Sequence, residues 1–256
     1  MCILFIAIDQ HPRYPLIIAA NRDEFYARPT QHSHFWFDHP KVLAGRDLQQ
    51  GGTWMGVNKS GKLAALTNIR APHKEHPDPI TRGELVSRFL LESSSNDDYL
   101  KQLRSTKHRY NGYNLLFGDI HNLSVYNNFT DEIKHLSAGI YGLSNANLDT
   151  PWPKINTGKD ALATYCKNAE VLSAEHLFQL LQNTTQAEGE MLPNTGIPKD
   201  WEQQLSSIFI HTETYGTRSS TLLFIDNTGH VEWRERMFNT HAKVTQDVLH
   251  EFDIRL

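Results

Sequence analysis

A cysteine directly after the initiator methionine offers a specific chemistry. A small residue at position 2 permits removal of Met1, and Cys2 would then carry its thiol and a free α-amine on one residue. A terminal amine titrates near about 7.7–8.0 and a thiol near about 8.5. At neutral pH the amine can therefore take the thiol proton, directly or through a water. That is a nucleophile activated by its own backbone amine. Position alone favours a plainer reading, because free cysteines mostly behave as small buried hydrophobes.

A second set of candidates is Asn21-Arg22-Asp23-Glu24. Four polar residues after an apolar run usually mean a solvated turn. Here they would return beside Cys2 if the two runs pair as a hairpin. An Arg in that place lowers a thiol pKa, and an Asp holds a terminal ammonium. Adjacent strand residues point to opposite faces, so Arg22 and Asp23 both face Cys2 only if the chain turns there. Asn68, in Thr67-Asn68, and Asn145, in Ser144-Asn145, carry neutral amide donors suited to an oxyanion, although Asn is also common in turns. Arg218 lies in Tyr215-Gly216-Thr217-Arg218-Ser219-Ser220, read as a loop before a core strand. His32, His34, Asp38 and His39 are metal-ligand types without a recognised ligand spacing, so no metal is expected. No P-loop or dinucleotide fingerprint is present in the sequence.

The elements that must position these residues follow from hydrophobic patterning. Residues 2–8 and 16–20 are short apolar runs split by a Pro-containing turn, which predicts a hairpin. Residues 22–40 read as a covering loop. Residues 53–57 and 62–67, joined by Asn58-Lys59-Ser60-Gly61, read as a second hairpin. Residues 72–79 hold three prolines and read as loop. Thr81 to Glu84 has the form of a capping box opening a helix to about 91. Asn96-Asp97-Asp98 caps a helix to about 105. Strands are expected at 114–118, 123–127, 138–143, 207–211, 220–226 and 230–237, and helices at 153–168 and 173–183 with Ser173 as cap. Hairpins dominate and no regular strand–helix alternation appears. The pattern predicts antiparallel sheets with segregated helices in one domain, 1–256.

Composition narrows the function classes. A net charge of −4 gives no global reason to expect nucleic acid as partner. Twenty-six aromatics (12 Phe, 9 Tyr, 5 Trp) argue against disorder. No window suits a membrane span, and the first run lacks the basic start of a secretory signal. Two cysteines build no disulfide framework, so a reducing, cytoplasmic setting is expected.

Taken in order, Met1-Cys2, Asn21-Arg22-Asp23-Glu24-Phe25, Gly52-Thr53-Trp54-Met55-Gly56, Leu66-Thr67-Asn68, Tyr141 to Asn145 with Asp149 to Lys154, and Gly216 to Ser220 resemble the NRDE family, also called the transport and Golgi organisation protein 2 family. The match runs from residue 1 to about 238. That family in turn resembles the cysteine branch of N-terminal-nucleophile hydrolases. The resemblance implies an α+β four-layer αββα sandwich. It implies Cys2 as nucleophile and its amine as base, with Arg22 and Asp23 tuning them. Asn68 and Asn145 would donate to the oxyanion, and Arg218 would complete the site. Asn21, Glu24 and Trp54 are expected on the substrate side. The Arg and Asp of the hydrolases stand further apart than Arg22 and Asp23, so Glu24 could take the role of Asp23. The implied activity is hydrolysis of a non-peptide amide. The alternative is a non-catalytic carrier of haem. No cofactor is required by the first reading.

Overall fold

The computed structural model describes residues 2–254, and of Cys2 it describes only a place in the first strand. Strands β1 (Cys2–Ile8) and β2 (Leu16–Phe25) pair antiparallel, with Ile8 opposite Leu16 and Cys2 opposite Arg22. Both are near-continuous apolar runs because both faces are covered. Leu4, Ile6 and Ile8 enter a core between two sheets, whereas Ile3, Phe5 and Ala7 pack on helices. The same alternation in β2 sends Leu16, Ile18 and Ala20 inward, and Ile17 and Ala19 outward.

Around this hairpin the first sheet adds β10 (Gly139–Leu143) on one side. On the other it adds β11 (Tyr215–Ile225), β12 (His230–Phe238) and β13 (Val244–Asp253), in the order β10-β1-β2-β11-β12-β13. The second sheet runs in chain order through β3 (Thr30–Phe35), β4 (Val42–Asp47), β5 (Met55–Asn58), β6 (Leu63–Asn68), β7 (Tyr113–Gly118), β8 (Ser124–Asn127) and β9 (Glu132–His135). All pairings between these strands are antiparallel. Helices α1 (Gly83–Leu91) and α2 (Asn96–Thr106) cover the second sheet through Phe89, Tyr99 and Phe117. Helices α3 (Pro153–Asn168) and α4 (Ala174–Leu181) cover the first through Ile155, Leu162 and Phe178. A short α5 (Lys199–Gln204) follows. The fold is an α+β sandwich of two antiparallel sheets with helices outside, as the patterning and the resemblance led us to expect.

Several local expectations are corrected. Residues 22–40 are not all loop: β2 continues to Phe25 and β3 follows. Tyr215 to Ser220 is the first half of β11, and 207–211 is irregular, with an isolated bridge from His211 to Gly216. Strands β4, β9 and β13 escaped notice; β9 and β13 are largely exposed edge strands with few apolar residues, Ile133 in β9 and Val248 and Phe252 in β13 being the ones turned inward. At α1 the cap position is Arg82, with no side-chain cap bond; Glu84 instead accepts from Arg88 and the Tyr110 hydroxyl. Ser95, not Asn96, caps α2, its hydroxyl accepting from the Asp98 amide. Ser173 holds the cap position of α4 without a side-chain bond.

Candidate active site

The first two strands end at one edge of the sandwich, and the side chains there are charged rather than apolar. Arg22 continues the inward series of Leu16, Ile18 and Ala20, and lies opposite Cys2. Its guanidinium stands 4.3 Å from the Trp54 ring centroid, and Nη1 donates to Thr30 Oγ1 at 3.0 Å. Both partners belong to the second sheet or its approach, so Arg22 spans the gap between sheets. It is buried, as a stacked and bonded guanidinium can be. The thiol and amine of Cys2, and the removal of Met1, lie outside the described residues.

Asp23 is buried on the helix-facing side. Thr217 Oγ1 donates to its Oδ1 at 2.7 Å, and the Tyr215 hydroxyl donates to its backbone oxygen at 3.0 Å. Burial pushes its carboxyl above the usual carboxylate range, against the opposing pull of Lys154, the Thr217 hydrogen bond and Arg22. The chain does not turn between Arg22 and Asp23, so the two flank the strand. One residue of β11 is extra here: Thr217 pairs with Asp23 and Ser219 with Arg22, which leaves Arg218 in a bulge. The bulge re-aims Arg218, whose Nη1 donates to the carbonyls of Phe25 and Arg28, both at 3.0 Å.

A cleft of about 240 Å³ opens beside Arg22. Its walls include Asp23, Glu24, Trp54 and Asn68 from the expected set. Sequence reasoning missed Arg28, Asp47, Thr53, Leu66 and Arg82, which also line it. Arg28 Nε and Nη2 donate to Asp47 Oδ2 at 3.0 and 2.5 Å, and Glu24 lies 3.8 Å from Arg28. The pair lowers the Asp47 carboxyl despite its burial. Two glycines let the start of α1 reach this wall. A Cβ on Gly52 would stand 2.5 Å from the Gly83 carbonyl carbon, and Thr53 N donates to Gly83 O at 3.2 Å.

Three expected residues sit behind the wall. Asn145 is buried; its Nδ2 donates to Asn68 O at 2.9 Å and its backbone oxygen accepts from Arg70 N at 2.8 Å. It therefore adjoins Asn68. Asn21 is turned to the helix layer, where its amide donates to Leu181 O and Ile208 O and its oxygen accepts from Ser220. Arg218 holds the turn after β2 instead of entering the cleft. Lys154, Arg70 and Glu202 are further buried charges at this edge that were not expected as a group. The Trp152-Pro153-Lys154 start of α3 was a visible signal for Lys154; nothing local marks Arg70 or Glu202. Among the described residues no group of three or more His, Cys, Asp or Glu could hold a metal ion, and no helix is long and apolar enough to cross a membrane.

Comparison with known proteins agrees with this architecture. The family model described as "Transport and Golgi organisation 2" matches residues 1–240. The mouse (Mus musculus) "Transport and Golgi organization 2 homolog" is 38% identical over 256 residues, covering 92% of each chain. A solved structure of a mutant conjugated bile acid hydrolase from Clostridium perfringens superposes with a TM-score of 0.55 at 10% identity, over 99% of this chain and 92% of that one. The Caenorhabditis elegans N-acylethanolamine-hydrolyzing acid amidase ortholog gives 0.51 at 10% identity, over 87% and 92%. At such identities the likeness is one of fold.

Proposed function

The chain belongs to the Transport and Golgi organisation 2 family, and we propose that it is an N-terminal-nucleophile hydrolase of non-peptide amide bonds. The observation that carries this reading is the register that sets Cys2 opposite Arg22 at the strand end where the cleft opens. Of the two fold relatives, one is a hydrolase and the other an acid amidase by name, which supports a hydrolytic reading.

In this reading Met1 is removed and the Cys2 α-amine takes the thiol proton. The thiolate attacks the amide carbonyl carbon and a C–S bond forms. The oxyanion accepts hydrogen bonds at Asn68 and Asn145. Asn145 Nδ2 spends one hydrogen on Asn68 O and carries a second, so an amide can hold its neighbour and still donate. The α-ammonium returns the proton to the leaving amine as the C–N bond breaks. Water, losing a proton to the amine, then attacks the thioester and releases the acid. Arg22 lowers the thiol pKa, and Asp23, behind the strand, orients the ammonium. Arg218 acts by holding the turn after β2, and Glu24 and Trp54 meet the substrate. Asn21 serves the framework. The haem-carrier reading gains no support from a cleft walled by Arg22, Glu24, Arg28, Asp47 and Arg82, because a large macrocycle needs an extended apolar slot.

Two measurements test the proposal. The intact mass of the purified protein should show loss of one methionine. Against a panel of acyl amides, Cys2→Ala should abolish turnover and Asn145→Ala should lower kcat by roughly 10²–10³, the usual loss for one oxyanion donor. Full turnover by Cys2→Ala would overturn the mechanism.

A further inference from the structure

Buried charges cluster at this edge. Among the described residues, Arg22, Arg70 and Lys154 are buried there with Asp23, Asp47 and Glu202. Arg70 follows β6 by two residues, and its backbone N–H is the donor to Asn145 O. Its guanidinium lies 5.2 Å from the Trp152 ring centroid. Nη1 donates to Glu202 Oε2 at 2.5 Å. Glu202 is itself fixed, since its Oε1 accepts from Thr195 N and Oγ1 at 2.7 and 2.6 Å. The opposite edge of the guanidinium is different. Neither Nε nor Nη2 has a hydrogen-bond partner among the described residues, although the side chain is only 4% exposed.

An unpaired buried donor costs about 1–3 kcal/mol, more when charged. A side chain that leaves two of them on one edge, while its other end is clamped, is arranged for a ligand of matching shape. The Nε–Nη2 edge presents two parallel donors, the fork that grips a carboxylate with two hydrogen bonds. Asn68 and Arg70 are separated by at most about 7 Å of extended chain. That is the scale of a single amino acid rather than of a second large group.

We infer that the Nε–Nη2 edge of Arg70 receives a substrate carboxylate, so that the amides taken by this site are of the N-acyl amino acid class. The reaction part of this statement rests on the amidohydrolase reading; the binding part does not.

The experiment separates the two. In Cys2→Ala protein, which cannot turn over, affinities for N-acetylglycine and N-acetylglycinamide are compared by calorimetry. The acid should bind at least about tenfold tighter, the discrimination of one charge-assisted pair. Adding Arg70→Met should erase that preference, and Arg70→Lys, which keeps charge and loses the fork, should restore only part of it. Equal or undetectable binding of both probes overturns the inference, as does a preference that survives in folded Arg70→Met. Should that variant not fold, the Arg70 Nε–H resonance of the intact chain decides: it should move with the acid and not with the amide, and no movement with either overturns the inference. A carboxylate preference without turnover by protein retaining Cys2 leaves the binding site standing and removes the amidase. Turnover with equal kcat/KM for acid and amide does the reverse.

Discussion

Arg22 and the two cysteines carry the sharpest consequences for single residues. Arg22 faces the gap between the sheets, opposite Cys2, with Trp54 against its guanidinium. A cation favours the thiolate, so its loss must raise the Cys2 pKa. In Arg22→Met, the midpoint of the pH profile for alkylation of Cys2 should move up by about one unit or more; an unmoved midpoint would show that Arg22 does not act on the thiol. Cys166 supplies the contrast. It is buried in α3, and burial pushes its thiol up to about 11. At pH 8 it stays protonated and covered. Peptide mapping after brief alkylation should find Cys2 labelled and Cys166 untouched until denaturant is added.

Between elements, two contacts set the spacing of the layers. Gly158 lets α3 lie directly on β1: a Cβ there would stand 2.0 Å from Phe5 Cζ, and Phe5 is wholly buried. Alanine is the better helix former by about 1 kcal/mol, yet overpacking of this kind costs about 1–3 kcal/mol. Gly158→Ala should therefore lower Tm, and a rise would show that the helix can shift freely. The second contact is Glu235 of β12, fully buried between the sheets. Its Oε2 accepts from the Ser33 amide of β3 at 2.5 Å, while Oε1 has no hydrogen-bond partner among the described residues. Burial raises its carboxyl, against the Ser33 amide bond and the nearby His32. Folding thus binds a proton: stability is fully present below the unfolded value of about 4.3 and is lost as pH rises through the higher folded value. Glu235→Gln should raise Tm by a few degrees at pH 8 and change it little at pH 4. Thermal melts at both pH values check the sign, and a gain confined to pH 4 would contradict it.

At the scale of the molecule, stability resides in the core between the sheets, where Leu4, Ile6, Ile18, Met55, Leu116, Leu223 and Trp233 interlock. Ile18 is completely buried, and Ile18→Ala should cost about 2–5 kcal/mol. Phe37, 92% exposed, should change stability by no more than about 0.5 kcal/mol when replaced by alanine. Denaturant titrations of the two variants give the comparison; equal losses would mean that this core is not where the fold is held.

The first hairpin, the antiparallel class and the outer helices were legible in the sequence because each depends on local periodicity. Seven apolar residues in a row before Asp9 can hardly be anything but a strand covered on both faces. Arg22, Asp23, Glu24, Trp54 and Asn68, which line one cleft, were visible as motif residues beside short apolar runs, although β2 runs on through Phe25 where a loop was expected. Edge strands β9 and β13 were illegible because their apolar residues are few and set among charged and polar ones, too sparse a pattern to mark a strand. The bulge that turns Arg218 away from the cleft is a mismatch in register between β2 and β11, and neither strand alone records it. Arg70 and Glu202 stand 132 positions apart in the chain. Their burial, and the open edge of Arg70, exist only because β6 and α5 are brought to the same end of the sandwich, where removal from water makes each charge seek a partner that no neighbour in sequence supplies.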